Sequence, residues 1–74
     1  MKFEKEINEI KQSSKVYLCF KSWDSCLRRA SPRNFALVDS KTAEEKIINV
    51  LPNIYEITIK KDQDYPYPLV EVQL

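Results

Sequence analysis

Not one of the 74 residues is glycine. At average usage of about 7%, a chain of this length would hold about five. Every turn must therefore avoid a positive φ or assign it to a residue with a Cβ, most cheaply asparagine or aspartate. The loops that cradle phosphates, the dinucleotide-binding turn and the strained nucleophile elbow of hydrolase folds all depend on glycine. A chain without it is not expected to build any of them.

Histidine is also missing, which removes the commonest general base and the commonest metal ligand. Two cysteines, Cys19 and Cys26, fall short of a zinc set without histidine. No cofactor and no metal are expected. Catalysis would have to come from Asp, Glu, Lys, Tyr or Cys on a scaffold too small to enclose much of a substrate, so the chain reads as a non-enzyme.

At this length one domain, residues 1–74, is expected, burying about 60–65% of the surface its unfolded chain exposes. Apolar residues make up 43% and charged residues 31%, which fits a folded domain rather than a disordered tail. The first residues, Met1-Lys2-Phe3-Glu4-Lys5-Glu6, lack the apolar run of a signal peptide, and nothing approaches the apolar length of a membrane span. A cytoplasmic location follows, where both cysteines would be reduced, with Cys19 a buried free thiol.

Periodicity divides the chain. Phe3, Ile7 and Ile10 repeat at helical spacing within residues 2–12, and Ser13-Ser14 end that helix. From Lys15 the period becomes two: Val16, Leu18 and Phe20 alternate with Tyr17, Cys19 and Lys21. Both sets are largely apolar, so this is a central strand covered on one face and partly on the other. Residues 22–34 admit either a short helical turn before Pro32 or an extended hairpin arm. Residues 35–38 form a short strand. Thr42-Ala43-Glu44-Glu45 matches a capping box, and Ala43, Ile47, Val50 and Leu51 line a helix that stops before Pro52.

Tyr55, Ile57 and Ile59 alternate with Glu56, Thr58 and Lys60 in a strand over 54–61. Residues 61–64 are a turn, Tyr65-Pro66-Tyr67-Pro68 is stiff and extended, and 69–74 is the last strand, with Pro68 suited to an edge or a strand start. The order α-β-(open)-β-α-β-β predicts an α+β fold. Its economical form is one antiparallel or mixed sheet of about four strands with two helices packed on one face.

The net charge of +1 hides an uneven distribution. Residues 15–38 carry Lys15, Lys21, Arg28, Arg29 and Arg33 against Asp24 alone, while residues 53–74 are net acidic. The basic segment also holds Tyr17, Phe20, Trp23 and Phe35. Interleaved cations and aromatics suit single-stranded nucleic acid, and they equally suit a protein interface, where Trp, Tyr and Arg dominate binding. Phe20 and Phe35 as core with solvated arginines is the plain alternative. A pI of about 7.7 is low for a dedicated nucleic-acid binder. The candidate partner-binding residues, for protein or nucleic acid, are Tyr17, Lys21, Trp23, Arg28, Arg29 and Arg33.

Lesser candidates each have a simpler explanation. Arg28-Arg29-Ala30-Ser31 matches a basic-directed phosphorylation motif, but a loop serine before proline accounts for it. Asp62 and Asp64 offer too few oxygens for a hard cation and suit a turn. Glu44 and Glu45 favour a helix start. Cys26 beside two arginines could be a reactive thiol. Tyr65-Pro66-Tyr67-Pro68 could present a polyproline-type ligand, though a rigid strand connection explains it with less.

The short length, the lysine- and isoleucine-rich composition and the lack of motifs look similar to small accessory proteins of bacteriophages and mobile elements. That likeness implies a module that binds and inhibits or modulates a host protein, such as a defence complex or polymerase. Nucleic-acid binding through segment 15–35 is the alternative, and homodimerisation through the last strand as a sheet edge is a third expectation.

Overall fold

The computed structural model describes residues 2–21 and 35–74. Their elements are α1 (Glu4–Lys11), β1 (Lys15–Lys21), β2 (Ala36–Asp39), α2 (Ser40–Asn49), a 3-10 turn (Leu51–Asn53), β3 (Glu56–Lys60) and β4 (Leu69–Gln73). The four strands form one sheet in the order β2-β1-β4-β3. β1 pairs antiparallel with β2 and parallel with β4, and β3 pairs antiparallel with β4. The fold is thus the expected α+β type, with a mixed sheet.

One face of the sheet carries the core. Val16 and Leu18 of β1, Val70 and Val72 of β4 and Ile57 of β3 meet Ile7 and Ile10 of α1 and Ala43 and Ile47 of α2. Seven core side chains, Ile7, Ile10, Val16, Ile47, Ile54, Val70 and Val72, are all but withdrawn from water. Burying each such aliphatic group contributes about 1.5–3 kcal/mol relative to leaving it exposed. Both helices lie on this face, as the two helical periodicities require. α2 also carries the chain from β2 at one edge to β3 at the other, which places Ala43 and Ile47 above the central strands.

Element ends differ from expectation in instructive ways. α1 begins at Glu4, because Phe3 adopts φ 62°, ψ 25°, a left-handed conformation costly for an aromatic residue. The first helical bond runs from the Ile7 N–H to the Phe3 carbonyl at 3.0 Å. The Phe3 ring packs against the core. α2 begins three residues before the capping box: Asp39 is its N-cap, and Thr42 Oγ1 donates to the Asp39 carboxylate. Asp39 stands opposite Lys15 at the end of β2, so the chain is held extended there and can turn into a helix at once. Pro52 sits within the 3-10 turn, where its missing N–H is harmless. β3 is shorter than 54–61. Ile54 lies before it, yet is only 2% exposed.

Two further expectations are corrected. The last strand, β4, is not an edge: β1 flanks it on one side and β3 on the other. Its Val70 and Val72 are fully buried, because they lie at the centre of the sheet on the face that the helices cover. Phe20 is 37% exposed rather than core, since it lies near the far end of β1. The helical turn or hairpin arm considered for 22–34 lies outside the described residues. Among the described residues no helix is long and apolar enough to cross a membrane.

Candidate functional site

Strand alternation sends Tyr17, Cys19 and Lys21 to the sheet face opposite the helices. In register beside them on that face are Leu37 of β2 and Leu69, Glu71 and Gln73 of β4. Beyond β4 come Glu56, Thr58 and Lys60 of β3. Among the described residues no helix covers this face.

Its centre of aromatic surface is Tyr17. The Tyr65 ring meets it edge-on with centroids 5.2 Å apart, and the Tyr67 ring lies tilted at 6.3 Å. Both separations fall in the favourable range for aromatic pairs. The Tyr17 N–H donates to the Pro68 carbonyl at 2.9 Å, so pairing at the start of β1 and β4 brings the Tyr65-Pro66-Tyr67-Pro68 run against Tyr17. The preceding turn is built by Asp62. Its carboxylate accepts from the Asp64 N–H at 2.9 Å, and its carbonyl accepts from the Tyr65 N–H at 3.1 Å. Asp62 thus serves the turn. A cleft of about 310 Å3 opens beside the cluster, lined among the described residues by Ser13, Lys61, Asp62, Tyr65, Pro66, Tyr67 and Pro68. Leu37, opposite Tyr17, is 47% exposed.

Lys21 lies four residues further along the strand, about 13 Å from Tyr17. Its ammonium is 3.0 Å from the Glu71 carboxylate. Between them Cys19 is a free thiol, only 3% exposed, and burial pushes its pKa above the ordinary value. An uncharged, covered thiol is a poor nucleophile. It acts here as a small apolar residue.

Of the six candidate binding residues, Tyr17 and Lys21 share this face but belong to different neighbourhoods, one aromatic and one ionic. Trp23, Arg28, Arg29 and Arg33 lie outside the described residues, as do Cys26 and the Arg28–Ser31 motif. Glu44 forms an ion pair with Lys11 of α1 at 3.2 Å, a contact that ties the two helices together. In the sequence Tyr65 and Tyr67 read as a connection or a ligand, and their packing on Tyr17 is a feature of the fold. The proline-tyrosine run was visible, but the parallel β1–β4 pairing that delivers it to Tyr17 was not. No family model matches the chain, and neither a curated protein nor a solved structure resembles it at a significant level.

Proposed function

We propose that this chain is a non-enzymatic protein-binding module that inhibits or modulates the protein it engages, in the manner of phage or mobile-element accessory proteins acting on a host protein. Its described recognition surface is the Tyr17–Tyr65–Tyr67 cluster with Leu37 beside it. The observation that carries this reading is the gathering of three half-buried tyrosines on the sheet face that no described helix covers. The core on the other face is aliphatic and already packed, so these rings add little to it. Tyrosine combines a large, stiff apolar ring with a polar tip, which is why it concentrates binding energy at interfaces. The adjoining cleft, with Pro66, Pro68, Lys61 and Asp62, suits a peptide segment of mixed polarity.

Charge on this face is mixed rather than uniformly basic. Lys21, a cation of the basic segment, is neutralised by Glu71, which makes it less available to phosphate. Phosphate recognition needs unpaired cations, and its affinity falls steeply with salt.

The test is capture of a partner from nuclease-treated host lysate by wild type and by a Tyr17→Ala/Tyr67→Ala variant, washed at about 50 and 200 mM salt. A protein partner that survives the higher salt, and is lost with the variant while the circular dichroism spectrum is unchanged, supports the reading. Nuclease-sensitive, salt-labile recovery, or a partner held equally by the variant, overturns it.

A further inference from the structure

β3 is paired on one side only, by β4, at the end of the sheet. The backbone groups it leaves over can be deduced. The Tyr17 N–H donates to the Pro68 carbonyl and the Leu74 N–H to the Lys21 carbonyl at 2.8 Å. Even-numbered residues at β4 therefore turn toward β1, and residues 69, 71 and 73 turn toward β3. The Tyr55 N–H reaches the Gln73 carbonyl at 2.7 Å, which agrees for Gln73. With Glu56 also opposite Gln73, it marks a bulge just before β3, and regular alternation begins at Glu56. Opposite Gln73, Glu71 and Leu69 stand Glu56, Thr58 and Lys60, so these three use their N–H and C=O groups on β4. The N–H and C=O groups of Ile57 and Ile59 point out from the edge.

The geometry points to an isologous dimer in which β3 pairs antiparallel with β3 of a second copy, about a two-fold axis at Thr58. In that register Ile57 stands opposite Ile59 of the second copy, and each exchanges both of its outward hydrogen bonds. Glu56 stands opposite Lys60 of the second copy, and the symmetry repeats the pair. The Ile57 and Ile59 side chains continue the helix-covered layer, while both charge pairs lie on the other face. Neither Glu56 nor Lys60 has an ion-pair partner among the described residues; the Glu56 carboxylate accepts a hydrogen bond from Thr58 Oγ1 at 3.0 Å.

Charge selects this register over its neighbours. A one-residue slip sets outward backbone groups against residues whose groups already serve β4, so the hydrogen bonds are lost. Moving the axis to Ile59 keeps them but places Glu56 opposite Asp62, a like-charge pair. Moving it to Ile57 leaves Lys60 opposite Ile54. A strand edge guarded against self-association commonly carries a charge that repels its own copy. Here an uncharged threonine lies on the axis and opposite charges flank it at equal spacing. The edge is five residues long, well short of a standard interface of about 1,600 Å2, so association on the order of 100 μM is expected.

Sedimentation velocity from about 10 μM to 1 mM tests the dimer on wild type, Glu56→Lys, Lys60→Glu, their equimolar mixture and the double variant. Both side chains are exposed, so the fold should tolerate each change. Wild type is expected to dimerise, each single variant to weaken the dimer roughly tenfold, and the mixture and the double variant to recover it, because both restore opposite charges. A monomeric wild type throughout the range overturns the proposal. So does a dimer indifferent to either single reversal, or one that neither combination rescues. The Tyr17→Ala/Tyr67→Ala variant should dimerise as wild type, which separates this surface from the tyrosine cluster.

Discussion

Lys21 Nζ stands 3.0 Å from Glu71 Oε2, across the parallel pair of β1 and β4, with side chains only 18% and 25% exposed. A basic residue that sequence composition marks for partner binding also fastens the two central strands. Partial burial raises the worth of such a pair above that of a surface ion pair, but desolvation limits the gain.

Removing one member should therefore cost more than removing both. Lys21→Met is expected to destabilise by about 1–2 kcal/mol, because it leaves the Glu71 carboxylate half-buried without its partner. Adding Glu71→Gln should recover part of that loss. Urea unfolding of the four-member cycle measures it, and additivity of the two single effects would show that the contact contributes no coupling.

The core is small enough for one side chain to decide folding. Ile47 is fully buried between α2 and the sheet. Ile47→Ala should cost about 2–5 kcal/mol and Ile47→Val about 0.5–1.5 kcal/mol. A domain of this size has little reserve, so the alanine variant is expected to be largely unfolded at 37 °C by circular dichroism while the valine variant folds.

The Asp39 cap should appear in the acid limb of stability. The hydrogen bond from Thr42, foremost, lowers its pKa below the ordinary 3.8. A depressed folded-state value means its contribution is present above the unfolded pKa and lost as pH falls through the folded one. Asp39→Ala is therefore expected to be less stable than wild type at pH 6, with the difference shrinking between about pH 5 and pH 2. A difference that stays constant over that range would deny the ionised carboxylate its role.

Cys19 should be inert in the native state. In a Cys26→Ser background, its modification by a thiol reagent at pH 8 is expected to run at least about tenfold slower folded than in denaturant. Because burial raises its pKa above 9.0, its effect on stability has the opposite sense from that of Asp39. The contribution is complete below the unfolded pKa and is lost as pH rises through the folded one. Cys19→Ala should accordingly flatten the alkaline limb of the stability curve.

Local pattern was enough to recognise both helices and four strands, because burial on one face imposes a period of 3.6 or 2 on the residues themselves. Phe3, Ile7 and Ile10 show the one, Val16 and Leu18 the other. The two-sided apolar character of β1 also foretold its central position. The cap of α2 was misplaced for a local reason: Thr42 and Glu45 fit a capping box, but β1–β2 pairing brings Asp39 to the start first.

The sequence by itself determined the α+β class, the absence of glycine and histidine, and much of the aliphatic core, Ile7, Ile10, Val16, Leu18, Ala43, Ile47 and Ile57. Tertiary structure alone decided which strands are edges and which residues share the second face. β4 lies between β1 and β3 through a parallel pairing of segments some fifty residues apart. No local periodicity records such a partner, since a strand buried on both sides reads alike beside any neighbour. That one pairing sets Tyr65 and Tyr67 on Tyr17, Glu71 against Lys21, and leaves β3 as the free edge.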